Sequence, residues 1–433
     1  MRHVSLGGAA GAGGAEGKPR RAGRLPAVVL AVAVGAAVSG WGPGAEAAPP
    51  ARTGPVPGGG PGSEQAAADL VEAEVVRQAE GLGLGDVDRL LEQLEREMEG
   101  DLPPIRVRDV IDMLVRREGA YTLTGFLKAV MTRLGREVVS GSGLLGRLVI
   151  LALLCGLLEN IQSAFARRET SQLAFAVCYI VLIIMGVGGF LLATDVCREV
   201  IDRLVDFMQA MLPVMITLLA SLGAVTTAGL FHPLLVASVE FVAGFIRDVV
   251  LPVVLAAACV DLVSRAFTGF QLTALSETLR QAAVVVTGLL LSAFLGVAAI
   301  YGAAGAVFDG AAVRAAKFAV GAFIPFVGGL LSDAVEVVAS SSLVLKNVVG
   351  VVGALAIVAY TVFPLLKVAS LVIVFRVAGA VVQPLGAGRL VGSLHSIANS
   401  LVLMMVLAFA VGVMFLISLA IVVGAATAAV MAR

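Results

Sequence analysis

Residues 211–258 read MLPVMITLLASLGAVTTAGLFHPLLVASVEFVAGFIRDVVLPVVLAAA, and residues 323–370 read FIPFVGGLLSDAVEVVASSSLVLKNVVGVVGALAIVAYTVFPLLKVAS. Laid over one another, they match Pro213 with Pro325 and Pro252 with Pro364, and the same register carries on to Gln271 with Gln383. Apolar identities such as Leu218 with Leu330 or Val236 with Val348 add little in stretches this rich in Ala, Val and Leu. The prolines carry more weight, because proline breaks a helix and its spacing is not dictated by hydropathy. They mark an internal duplication.

Composition sets the solvent. Hydrophobic residues make up 59% of the chain and charged residues 14%, against about a quarter charged in a soluble domain, so this is a membrane protein. The formal net charge is zero, which offers nothing to a nucleic-acid partner. Cys155, Cys178, Cys197 and Cys259 lie in or beside apolar runs without metal-type spacing and read as small buried hydrophobes. Neither a disulfide framework nor a zinc site is expected.

The chain opens with the order of a secretory signal peptide. Arg2, Lys18, Arg20, Arg21 and Arg24 precede an apolar run, Leu25–Val38, and the small-residue stretch Ala45-Glu46-Ala47-Ala48. Residues 1–47 are read as that signal, cleaved after Ala47, and 48–63 as a Pro- and Gly-rich disordered linker. Residues 64–143 are read as a small acidic helical domain outside the cytoplasm. Its helices are marked by Leu90, Leu91, Leu94 and Met98 after an Asp86 cap, by Val107, Val110, Ile111 and Leu114, and by Leu123, Phe126, Leu127, Val130 and Leu134.

From Leu144 onward, runs long enough to cross about 30 Å of hydrocarbon recur. Residues 144–208 are read as a first transmembrane pair, 144–166 and 172–193, joined by a basic Arg167-Arg168 turn inside and followed by a charged outer loop, Asp195–Asp206. Residues 209–306 are repeat unit 1, with apolar parts 210–231, 234–258 and 283–306. Residues 307–425 are a linker and repeat unit 2, with parts 322–343, 346–381 and 398–424. The fold class is therefore an all-α polytopic membrane protein with about 7–8 transmembrane helices.

If every part crosses once, each unit has an odd number of crossings and the second copy is inverted, as in many transporters. The loop at Gln271 then lies outside and the loop at Gln383–Arg389 in the cytoplasm. Arg314 and Lys317 in the linker would face the cytoplasm. The long apolar run 346–381 leaves room for a hairpin, which would make the repeats parallel.

Ionisable residues inside apolar segments are costly, and they mark a polar pathway, a structural pair or side chains that snorkel to the interface. Glu240, Arg247 and Asp248 are the candidates in unit 1, and Lys367 and Arg376 in unit 2. Pro252 and Pro364 are the candidate helix breaks. No catalytic, cofactor-binding or metal-binding residue is nominated. Gly141-Ser142-Gly143-Leu144-Leu145-Gly146 fits G-x-G-x-x-G but precedes a membrane helix and lacks the strand a nucleotide fingerprint needs. His3, His232 and His395 are scattered.

At Leu153–Phe165, LLCGLLENIQSAF, the chain resembles the polytopic stage III sporulation protein AE family of endospore-forming bacteria. The resemblance takes in the leader, the acidic helical domain and the Pro-anchored apolar segments, over about residues 64–425. It implies a non-enzymatic component of a channel between mother cell and forespore, in the mother-cell membrane around the forespore. The partners it implies are other stage III channel proteins, including a secretion-type ATPase and ring-forming proteins, together with the lipid bilayer. It carries no catalytic residues and no cofactor. The alternative, from the repeats and the intramembrane charges, is a secondary transporter with its site at the interface of two inverted units.

Overall fold

The computed structural model describes the main chain of residues 123–164, 168–221, 225–266, 272–323, 328–385 and 388–431, with Arg89, Glu92 and Arg96 as separate helical positions. The signal peptide, the linker and the outer domain as far as residue 122 otherwise fall outside the described residues. Within them the chain is helical: α1 Leu123–Ser140, α2 Ser142–Ala164, α3 Arg168–Ser221, α4 Val225–Phe245, a π-helical turn Ile246–Val250, α5 Leu251–Ala266, α6 Thr273–Phe323, α7 Gly328–Val382, a 3-10 turn Gln383–Leu385, and α8 Gly388–Met431. No strand occurs among the described residues.

Five of these helices, counting α4 through α5 as one, are long and apolar enough to cross a membrane, and six if the bent pair α1 and α2 forms one span. This is fewer than the 7–8 expected, because two of the helices run through places where the sequence reading put turns or parted two segments. α3 is continuous for 54 residues, so the expected outer loop Asp195–Asp206 is helix. Between Phe190 and Leu212 there is neither Gly nor Pro to stop it, and Arg203 pairs with Glu199 one turn back at 2.6 Å. α7 runs for 55 residues, joining the parts 322–343 and 346–381 except for the first residues of that range. The expected linker from 307 is likewise helical, as the second half of α6.

The prolines do not break their helices. Pro213 and Pro364 lie inside α3 and α7. Pro252 follows a π turn in which the Leu251 N–H donates to the carbonyl of Ile246. That wider turn takes up the clash a proline ring makes with the carbonyl four residues earlier, so the chain bulges instead of parting.

α7 and α8 form the largest interface, and α3 packs on both. Their contacts set the direction of each helix. Tyr179 of α3 meets Ser393 of α8, and further along both chains Thr194 meets Met404, so α3 and α8 run parallel. Phe207 of α3 packs on Tyr360 of α7, and Met211 lies against Gly353, so α3 and α7 are antiparallel. α1, read as the last helix of the outer domain, packs on α7, where the Phe126 and Phe363 rings meet edge to face at 6.1 Å.

The repeat units do not have the inverted arrangement. Arg280, near the start of α6, hydrogen-bonds Ser396, near the start of α8, at 3.2 Å. A Cβ on Gly392 would lie 3.4 Å from Nη1 of Arg265, at the end of α5. The equivalent third parts of the two units therefore start at the same end of the bundle and run the same way. The chain turns after α5 and after α7 also share one end, whereas inversion requires opposite ends. No hairpin is needed for the two stretches to run the same way, because the parts read as the first and second of unit 2 belong to one continuous helix, α7.

Small residues let these helices approach closely, which is how helices pack in lipid. A Cβ on Gly412 of α8 would collide with Oγ1 and Cγ2 of the buried Thr361 in α7, whose own Cβ lies 3.1 Å away. Gly412→Ala should therefore destabilise the detergent-solubilised protein by about 1–3 kcal/mol through overpacking. Thr361→Ala in the same chain should return part of that loss, read as thermal midpoints in a double-mutant cycle.

Candidate functional site

Apolar helices meeting in a bundle leave few places for charge, and among the described residues two groups join charges from different helices. The first lies where α5, α6 and α8 converge. Asp261, 2% exposed, points from the last turns of α5 into that junction. Arg265 sits one turn further along the same helix, and its Nε donates to Asp261 Oδ2 at 3.1 Å. The next helix supplies Ser276, whose hydroxyl reaches Asp261 Oδ1 at 3.3 Å, and Arg280, whose Nη2 lies 3.4 Å from Oδ2. Ser396 of α8 completes the set with a short hydrogen bond to Oδ2.

The local sequence explains the placement. α8 carries Ser393, Ser396 and Ser400 at helical spacing, so one narrow hydroxyl-bearing face turns inward, and all three are buried. Ser393 bonds the Tyr179 hydroxyl of α3 at 2.5 Å, extending the polar junction to a fourth helix. The turn between α5 and α6 is tied to the same place, since the Leu272 N–H donates to Ser264 Oγ at 2.8 Å.

A carboxylate offers about four lone-pair sites, and four side chains donate to this one. Three of them, Arg265, Arg280 and Ser396, meet on Oδ2, while Oδ1 is reached by Ser276 alone. A buried charge paired in this way joins elements whose separation would leave ions bare in an apolar bundle. Arg280 is less completely served, for its Nε has no hydrogen-bond partner among the described residues.

The second concentration lies on the outside of the bundle. Arg247 in the π turn donates from Nε to Asp248 at 2.8 Å and makes a short bond through Nη1 to Asp202 of α3. Asp195, Glu199, Asp206 and Glu240 are exposed along the neighbouring turns of α3 and α4. The structure therefore brings together Arg247 and Asp248 of the sequence-nominated residues, and adds Asp202. Lys367 and Arg376 are exposed on α7, at positions apart from that group. Pro252 and Pro364 are half-buried helix residues.

Sequence reading missed Asp261, Ser276, Arg280 and Ser396, together with Lys346, which is 1% exposed in α7. The signal available was the i, i+4 pair Asp261 and Arg265 together with the serine face of α8. Asp261 escaped notice because it falls just past the apolar part 234–258. None of the four cysteines is in a disulfide, and Cys155 and Cys197 are buried.

A bundle of long apolar helices, tied at one end by an internal ion cluster and carrying charge outside, defines a polytopic helical membrane protein. Comparison with known proteins narrows this. The model of the stage III sporulation protein AE family matches residues 105–426, the whole described bundle to within a few residues of its end. Stage III sporulation protein AE of Bacillus subtilis (strain 168) is 31% identical over 366 residues, covering 84% of this chain and 92% of that protein. The chain belongs to the stage III sporulation protein AE family. No solved structure matches it.

Asp261→Ala should lower stability in detergent by about 3–5 kcal/mol, the usual cost of removing one partner from a buried ion pair. Asp261→Asn should cost less, because its single amide oxygen can still accept on one side, from Ser396 or from Ser276, while the other side becomes a donor and the charge is lost. Thermal midpoints of the two purified variants check the order, and an Asp261→Ala midpoint equal to that of the unaltered protein would deny the cluster its tie.

Proposed function

We propose that this protein is a non-enzymatic integral component of a sporulation channel, a secretion-like complex joining mother cell and forespore and required for late forespore development. The observation that carries the reading is the family match across the membrane bundle. The Asp261 cluster supports it from the structural side, since the charge it buries ties three helices of the bundle together. On this reading the chain sits in the mother-cell membrane around the forespore, with its N-terminal domain extracytoplasmic after signal cleavage. Its partners are the other stage III channel proteins, among them a secretion-type ATPase and ring-forming proteins.

The transporter alternative drew its geometry from inverted units with a site between them. Parallel units leave no such pseudo-twofold site, and Lys367 and Arg376 do not converge on Glu240 and Arg247. Deletion in the host should leave exponential growth normal and arrest development after engulfment of the forespore, scored by growth rate and membrane staining. A growth defect, or gradient-driven solute uptake by the purified protein alone in vesicles, would support the transporter.

A further inference from the structure

Two helix faces at one level of the bundle carry opposite charge. The level follows from contacts along α7. α1 passes α7 with Phe126 against Phe363 and Gly141 against Val374. α3 passes it in the other direction, with Phe207 against Tyr360 and Gly189 against Phe375. Between these anchors each helix rises evenly, so Lys128 of α1 stands level with Asp202 of α3, Arg136 with Asp195, and Val139 with Leu192.

On α1, Phe126, Val130 and Leu134 turn toward the bundle, which leaves Lys128, Met131, Arg136 and Val139 exposed on the remaining sides. Met131 is 64% exposed and Val139 71%. The acid of this helix, Glu137, is held by Arg133 at 3.3 Å. On α3, Leu192, Asp195, Glu199 and Asp206 are exposed, and the acids from Asp195 to Asp206 outnumber Arg198 and Arg203. Arg203 is held by Glu199. Among the described residues, neither Lys128 nor Asp195 is in an ion pair. α1 and α3 both pack on α7, yet the described helices include no interface of α1 with α3.

Neither face suits a single solvent. The bent pair α1 and α2, and α3, both belong to stretches apolar enough to cross a membrane. In lipid, Lys128 and Asp195 would be bare charges, and charges there normally find a partner. In water, Met131, Val139 and Leu192 would be bare apolar surface. Two faces at one level share a solvent, and pressing one on the other covers the apolar side chains and pairs the charges together. A second copy that crosses the same membrane the same way brings its α3 to the level of the first copy's α1, antiparallel to it, with the charges already in register. A different protein would need that register built separately.

We propose that α1 of one copy of this chain docks on the outer face of α3 of a second copy, with Arg136 facing Asp195, Lys128 joining Arg247 at Asp202, and Val139 packing on Leu192. This interface asks only that two copies share a membrane, so it stands or falls apart from the sporulation role.

Two differently tagged copies of the full-length protein, co-expressed and solubilised in mild detergent, should co-purify. Arg136→Glu in both copies, or Asp195→Arg in both, should lower the recovered partner several-fold. Arg136→Glu in one copy with Asp195→Arg in the other should restore it, since every α1 then meets an opposite charge again, a recovery that misfolded variants would not show. In copies with the four cysteines changed to alanine, Val139→Cys in one and Leu192→Cys in the other should give an oxidant-induced dimer carrying both tags. Leu289→Cys on α6 in place of the α3 site should not. Unaltered copies that fail to co-purify, leaving the faces to lipid or to another protein, would overturn the interface. So would a mixed charge pair no better than either variant alone, or a Leu192→Cys that cross-links no more than Leu289→Cys. A single chain carrying both Val139→Cys and Leu192→Cys that closes its own disulfide would overturn it too, because α1 would then reach the α3 of its own chain.

Discussion

One carboxylate, Asp261, conditions how the helices of this bundle can be arranged. It is buried among apolar neighbours, and the groups that satisfy it come from three helices: Arg265 on its own, Ser276 and Arg280 on α6, and Ser396 on α8. Moving any of these helices by a turn would strip the carboxylate of a donor or leave an arginine facing hydrocarbon. Hydrophobic contact between such helices is forgiving, since lipid tails are as apolar as leucine and small shifts change little. An ion cluster is not forgiving, and it fixes the register that apolar packing leaves loose.

The helical, polytopic character of the chain was legible from composition and segment length alone. So was α1, whose stripe of Phe126, Val130 and Leu134 turns out to face the bundle. The number of crossings was not, because charge was read as a sign of a loop. In Asp195–Asp206 the acids and arginines alternate at spacings that let them pair along a helix, and with no Gly or Pro the backbone has no reason to turn. The prolines were likewise over-read. They were read as marks of a duplication and as helix breaks, yet a proline in a long helix can be absorbed by a π turn, as at Pro252, or carried inside the helix, as at Pro364.

The candidate site was legible only in its outer part. Arg247 and Asp248 stood out because a charge pair inside an apolar run is conspicuous, and the structure seats them with Asp202 from a helix 45 residues earlier in the chain. The inner cluster is invisible to a search for charges in mid-span. Asp261 sits near a helix end, where a charge looks like an interfacial residue, and what makes it internal is the chain turn after it, which lays α6 and α8 over it. That is a tertiary fact whose local signature is slight: the i, i+4 pair Asp261 and Arg265, and serines that look ordinary one at a time.

The same separation between what is covered by lipid and what is covered by protein explains the length of the helices. Beyond Tyr360 and Gly412, α7 and α8 continue as apolar helices, yet among the described residues α8 shows no large exposed apolar side chain, and α7 shows two, Val377 and Val381, at its opposite end. Their apolar surface is used up against each other through glycines: Gly350 faces Val423, Gly353 faces Met211 and Leu419, and Gly412 faces Thr361. Each glycine removes a side chain that would hold the helices apart, so the backbones close until the neighbouring side chains are enclosed. A helix pair sealed in this way has no need of lipid on that stretch.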